Sequence, residues 1–178
     1  VFQDSIIIPR NNSNIKNNIN LNQNIALIID GQIKSNQKNI WGNIIASNLH
    51  HKTDSKQNGF DASNAGFIFG YHKQLNKNNL LGSAIFYANS NIATDHDLQD
   101  DQTNTVGLSL YHKNYNEEQK GLFSFNKLTS FYNFYSLERN INLGNEYKKA
   151  SASTTGLTLD LETGLGYKYN SANITYTP

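Results

Sequence analysis

Thr155-Gly156-Leu157-Thr158-Leu159-Asp160-Leu161-Glu162-Thr163-Gly164-Leu165-Gly166-Tyr167-Lys168-Tyr169 alternates with a period of two almost throughout. Leu157, Leu159, Leu161, Leu165 and Tyr167 share one face, and Gly156, Thr158, Asp160, Glu162, Gly164, Gly166 and Lys168 share the other. Successive side chains point to opposite faces in a β-strand, so this is a strand with one apolar and one small or polar face. At about 3.3 Å per residue it extends some 40 Å or more, well beyond the usual five or six or so residues of a globular-protein strand. Tilted, such a strand suits an outer membrane.

The pattern spreads outward from there. Ser63, Ala65, Phe67, Phe69 and Tyr71 alternate with Asn64, Gly66, Ile68, Gly70 and His72; Leu81, Ile85 and Tyr87 alternate with Gly82, Ala84 and Ala88; Val106, Leu108 and Leu110 alternate with Gly107, Ser109 and Tyr111. A soluble sandwich would carry large charged residues on its second face, whereas here Gly, Ser, Thr and Asn dominate it. The lumen of a barrel explains that composition better. Leu122 to Leu137 fits less well, with Phe123, Phe125 and Phe131 on one face, Tyr132 and Phe134 on the other, and Lys127 falling among the lipid-facing set unless a bulge near Asn126 re-registers the strand. Ile40 to Leu49 is a first strand with Trp41 at one end, where an interfacial anchor would sit.

Composition agrees with β structure: Tyr and Phe number 10 and 9, Gly 12 and Pro 2. The absence of Cys excludes disulfides and thiol chemistry. A net charge of +1 gives no field for nucleic acid or an anionic surface. No run of about 18 apolar residues occurs, so a membrane-spanning helix is excluded. The mean hydropathy of −0.60 does not exclude a barrel, because lipid-facing and lumen-facing residues alternate and average out. Val1-Phe2-Gln3-Asp4 lacks an initiator Met, a basic region and an apolar run, so no signal peptide is expected and the chain is expected to start inside a longer precursor.

Residues 1–38 differ from the rest. Asn11 to Asn20 is Asn-rich and reads as a linker or irregular leader. Asn24 to Asp30 is an apolar run too short to assign as strand or helix. Connector lengths alternate further along: Lys73 to Asn79, Lys113 to Lys120 and Asn170 to Ala172 are short, whereas His51 to Gly59, Asn91 to Gln102 and Arg139 to Ser153 are longer. Short periplasmic turns and long external loops alternate in this way in transmembrane barrels, so odd strands run outward and even strands return. A seventh strand is expected to begin at Asn173.

Trp41-Gly42, then Asn64-Ala65-Gly66-Phe67-Ile68-Phe69-Gly70-Tyr71, then Leu81-Gly82-Ser83-Ala84-Ile85-Phe86-Tyr87-Ala88-Asn89-Ser90 resembles the opening of an autotransporter barrel. Arg139, Ala150-Ser151-Ala152, the Gly156 to Tyr167 strand and Thr175-Tyr176-Thr177-Pro178 are similar to the middle of that family's domain, so the resemblance covers residues 39–178. The excess of Ile, Asn and Lys is similar to that of surface antigens of AT-rich intracellular bacteria such as rickettsiae. The resemblance implies an all-β, antiparallel transmembrane barrel of about twelve strands, monomeric, of which this chain covers the first six to seven. It implies a translocator in the outer membrane of a Gram-negative bacterium, with membrane lipid, a passenger segment in the pore and the barrel-assembly machinery as partners, and with no cofactor. On that reading residues 1–38 are the passenger's end and the pore-threading segment. A sheet of six or seven strands leaves two unpaired edges that lipid cannot satisfy, so a truncated piece of a longer protein or a split reading frame is expected.

The expected lipid-facing residues are Phe67, Phe69, Leu81, Ile85, Leu108, Leu110, Leu157, Leu159 and Leu161, with Trp41, Tyr71, Tyr87 and Tyr167 as interface aromatics. Asp160, Glu162, Thr158 and Asn64 are expected in the lumen. Gly66, Gly70, Gly82, Gly107, Gly156 and Gly164 would leave room there for a chain in transit. Asp160 and Glu162 could serve as a paired acid and base, but a lumen charge ladder with Arg or Lys is favoured about nine to one. Asp95, His96, Asp97, Asp100 and Asp101 lack the Gly and final Glu of an EF-hand loop, and a solvated acidic loop is favoured about eight to one. His50-His51 has no nearby carboxylate in sequence and reads as exposed loop histidines rather than zinc ligands. Asn11-Asn12 and Asn17-Asn18 invite comparison with self-cleaving relatives, but a low-complexity tract explains them equally well. No Gly-x-Ser-x-Gly elbow with a placed His occurs. No catalytic or metal residue is assigned. The competing readings are a small porin or adhesin barrel, an outer-membrane barrel enzyme, and a soluble β-sandwich.

Overall fold

The computed structural model describes residues 7–35, 39–52, 59–94, 99–117, 120–142, 147–171 and 174–176. Among the described residues one helix, α1 (Ile7–Ser35), precedes seven strands: β1 (Ile40–His51), β2 (Phe60–Gln74), β3 (Asn79–Thr94), β4 (Gln99–Glu117), β5 (Lys120–Asn142), β6 (Tyr147–Ser171) and the three-residue β7 (Ile174–Tyr176). The strands pair in sequence order, each antiparallel to the next. Such a meander needs only local connections and exposes the two faces of the sheet to different surroundings.

Strands are longer than the sequence pattern indicates, β5 and β6 reaching 23 and 25 residues. The stretches Asn91 to Gln102 and Arg139 to Ser153 are accordingly mostly strand, because β3 runs on to Thr94, β4 starts at Gln99, β5 ends at Asn142 and β6 starts at Tyr147. Alternation of short and long connectors is weaker than expected for that reason. Residues 122–137 carry no bulge at Asn126: β5 pairs with β6 in unbroken register from Gly121↔Lys168 to Asn142↔Tyr147. The irregularity lies in β4 instead, between Tyr115 and Glu117. Next to it Gly121 takes φ 70°, a left-handed conformation open to glycine at no steric cost.

Residues 7–35 form a continuous helix rather than an irregular leader. Asn is a weak helix former, and a helix so rich in it needs tertiary support. That support is a row of side chains buried every fourth residue, Ser13, Asn17, Leu21, Ile25, Ile29 and Ile33, against the sheet. Burying each of the four aliphatic members stabilises the contact by about 1.5–3 kcal/mol. Leu21, Ile25, Ile29 and Ile33 join Trp41, Ile45, Ile68, Phe86, Tyr111 and Phe131 in one core. The face that packs on the helix is the inner face of the sheet, and the opposite one is the outer face.

Candidate functional site: the inner face and its helix

The outer face is apolar across all six long strands. One register row reads Ile44–Phe67–Tyr87–Val106–Tyr132–Leu157, and the next reads Gly42–Phe69–Ile85–Leu108–Ser130–Leu159. Phe67, Phe69, Tyr71, Leu81, Ile85, Leu108 and Leu110 are about half exposed on this face, and Leu157, Leu159 and Leu161 more so, at 65–72%. Tyr167 lies on the same face, and so does Tyr87, whose hydroxyl donates to Asn104 Oδ1 at 2.7 Å. Ile40, Ile44, Leu122, Leu128, Tyr132 and Phe134 add to it and escape the sequence reading. Lys127 belongs elsewhere. It lies on the inner face and is 1% exposed, because β5 keeps its register and odd positions turn inward.

Trp41 is also on the inner face, 7% exposed, and is no outward-facing interface anchor. Its ring covers Gly70 directly opposite, and its Nε1 donates to Tyr111 Oη at 3.3 Å. Other inner-face glycines have the same surroundings: Tyr111 covers Gly82, Phe86 covers Gly107 and Tyr135 reaches over Gly156. A Cβ on Gly66 would strike the β3 backbone at Tyr87 and Ala88. Gly70, Gly82, Gly107 and Gly156 therefore admit rings from neighbouring strands and Gly66 a close backbone approach, instead of leaving room for a chain; Gly164 alone of those six has nothing within 4 Å of a built Cβ.

Polar groups on the inner face meet the helix. Asn64, 3% exposed, donates from Nδ2 to Asn17 Oδ1 at 2.9 Å and accepts a bond from Ser90 Oγ. Ser47 Oγ donates to Asn20 Oδ1 at 2.9 Å. Asn22 is held on both sides of its amide: Nδ2 donates to Asp160 Oδ1 at 2.6 Å, while Oδ1 accepts from Lys127 Nζ at 3.0 Å. Lys127 uses its remaining donors on Asn22 O at 3.2 Å and Glu162 Oε2 at 2.9 Å, which satisfies a buried ammonium. Lys113, 3% exposed, pairs with Asp30 at 3.1 Å and lies 4.5 Å from the Phe123 ring centroid. Thr158 is half-buried on the same face.

Asp160 and Glu162 thus occupy themselves with an amide and a lysine rather than with each other. His50 and His51 face opposite sides; His50 pairs with Asp61 at 2.5 Å on the outer face, and His51 Nε2 lies 3.1 Å from Lys16 Nζ. Asp100 is exposed on the outer face and Asp101 is buried on the inner one, so the two do not converge. Asp95, His96 and Asp97 lie outside the described residues, as do the side chains of Asn11 and Asn12. Among the described residues no group of three or more His, Asp or Glu could hold a metal ion.

A meander of long strands, apolar on its bare outer face and carrying rings over glycines, buried polar groups and a packed helix on its inner face, fits the wall of a transmembrane barrel. Residues 40–178 match the autotransporter beta-domain family. The chain belongs to that family. No curated protein matches the chain. An autotransporter β-domain is an outer-membrane translocator, embedded in the bacterial outer membrane and associated with a passenger, and it belongs to a class that is generally not enzymatic. No helix among the described residues is long and apolar enough to cross a membrane.

Proposed function

We propose that this autotransporter chain anchors and exports an N-terminal passenger, with residues 39–178 as part of the barrel wall and residues 1–38 as the passenger's end and the pore-threading segment. The observation that carries the reading is that the chain covers one face of its own sheet with α1 and leaves the opposite, apolar face bare. On this reading Phe67, Phe69, Ile85, Leu108, Leu110, Leu157, Leu159 and Leu161 contact lipid, with Tyr71, Tyr87 and Tyr167 toward the rims of the apolar band, while Asn64, Thr158, Asp160 and Glu162 line the pore, Asn64 and Asp160 bonding the helix.

Direction supports it. Along α1 the order of contacts runs opposite to β1: Lys16 meets His51 and Asn20 meets Ser47, while the helix ends at Ser35 shortly before β1 begins at Ile40. A helix of 29 residues at about 1.5 Å each is close in length to the 12-residue β1 at about 3.3 Å per residue, against which it runs. The passenger end then lies at the 52–59 end of the wall, the outer mouth, and the chain enters β1 from the periplasmic side. A porin would need the inner face open to water, and α1 covers it. The barrel-assembly machinery inserts the wall.

The test is surface display. In the full-length protein, produced in a Gram-negative host, an epitope placed ahead of Ile7 is expected to fractionate with the outer membrane and to be removed by protease added to intact cells. An epitope that fractionates with the outer membrane but is protected until cells are opened would overturn the export reading.

A further inference from the structure

Apolar packing alone does not fix where α1 comes to rest. Leu21, Ile25, Ile29 and Ile33 are buried four residues apart. Turning the helix on its own screw by four residues toward the outer mouth, about 6 Å of travel, brings Ile25, Ile29 and Ile33 into the places of Leu21, Ile25 and Ile29. These are branched aliphatic side chains of near-equal volume, the kind of exchange that cores tolerate best. Polar contacts are not interchangeable in this way.

Two of them join the helix to buried lysines of the wall, eight residues apart on the helix: Asn22 at Lys127 and Asp160, and Asp30 at Lys113. Both lysines are buried, at 1% and 3% exposure, so each needs its partner. Moving the helix four residues toward the outer mouth would set Lys34 against Lys113 and Ala26 against Lys127 and Asp160. One exchange places like charges together, and the other leaves a buried ammonium and a carboxylate without their amide. Moving it four residues inward would bring Ala26 to Lys113 but Asn18 to Lys127, which keeps one of the two contacts. The sequence is therefore asymmetric: outward travel loses both contacts and adds a repulsion.

We propose that the Asp30–Lys113 and Asn22–Lys127 contacts form a two-point stop that sets the resting register of α1 and opposes its travel toward the outer mouth. The inference rests on the reading of α1 as the pore-threading segment. Lys113 and Lys127 act here as positioning residues for the exported chain.

Disulfide trapping in the full-length protein, assembled in the outer membrane, tests the stop; residues 1–178 contain no Cys to interfere. Asn20 and Ser47 side chains meet at 2.9 Å, so N20C/S47C reports the resting register and N24C/S47C reports a helix one turn further out. The parent is expected to give the first disulfide and little of the second. Adding N22A and D30A is expected to lower the first yield at least threefold and to raise the second correspondingly. Asp30→Asn is a milder variant for use if the double change prevents assembly, and it is expected to shift the ratio in the same direction. An unchanged ratio in assembled barrels of either variant overturns the stop. Neither disulfide in the parent, with the passenger displayed on the surface, would instead show that α1 is not lodged in the pore and would overturn both the threading reading and the stop built on it.

Discussion

Trp41 and Gly70 stand directly opposite each other on β1 and β2, and a Cβ added at 70 would fall 2.1 Å from the indole. Gly82 with Tyr111 and Gly107 with Phe86 repeat the arrangement on β3 and β4, again as directly opposed pairs. A ring laid over a facing glycine packs a long strand tightly and fixes its register, because a slip by one residue would send ring and glycine to the other face.

Gly70→Ala and Gly107→Ala are therefore expected to destabilise the domain by about 1–3 kcal/mol each, the usual cost of overpacking. Gly164→Ala, where a Cβ meets nothing within 4 Å, is the control and should leave stability unchanged. Urea midpoints of the refolded full-length protein, or the temperature at which its band shifts on a denaturing gel, would separate the two groups.

Glu162→Ala leaves the fully buried Lys127 ammonium without its carboxylate, and should destabilise the domain by about 1–3 kcal/mol. Combining it with Lys127→Met removes the stranded charge and should recover part of that loss. A double variant less stable than the sum of the two single ones would contradict the pairing.

Thr103 is 2% exposed, and its hydroxyl has no hydrogen-bond partner among the described residues. Thr103→Val keeps the shape and removes the unsatisfied group, so the urea midpoint is expected to rise, by about 1 kcal/mol in stability.

Strand facing was legible in the sequence wherever alternation was clean, as from Leu157 to Tyr167, because a period of two leaves only one way to sort side chains. Lys127 was misread because β5 carries rings on both faces, Phe131 inside and Tyr132 outside, so hydropathy gave no preference between the two. Its proper side follows from Glu162, its directly opposed partner, which only the pairing reveals. Trp41 was misplaced for a related reason: β1 has Ile44 73% exposed beside Ile45 at 1%, and the facing of its tryptophan is set by Gly70 on another strand. The helix was hidden by its asparagines, which are poor helix formers but here bind the wall at Asn17, Asn20 and Asn22. A signal was present in the spacing of four from Ser13 to Ile33, visible once the Asn tract and the apolar run are scanned together.

The most direct test of a membrane-spanning wall with its helix side inward compares Leu159→Asp with Thr158→Asp in the full-length protein. Leu159 is 68% exposed on the outer face, whereas the adjacent Thr158 is half-buried on the helix side. A charge facing lipid near the bilayer midplane costs about 2–4 kcal/mol for a basic residue and somewhat less for an acid. Outer-membrane assembly, scored by fractionation and heat-modifiable migration, should be lost or sharply reduced for Leu159→Asp and retained for Thr158→Asp. Equal assembly of the two, or loss only with Thr158→Asp, would contradict the facing of the wall and the membrane reading that depends on it.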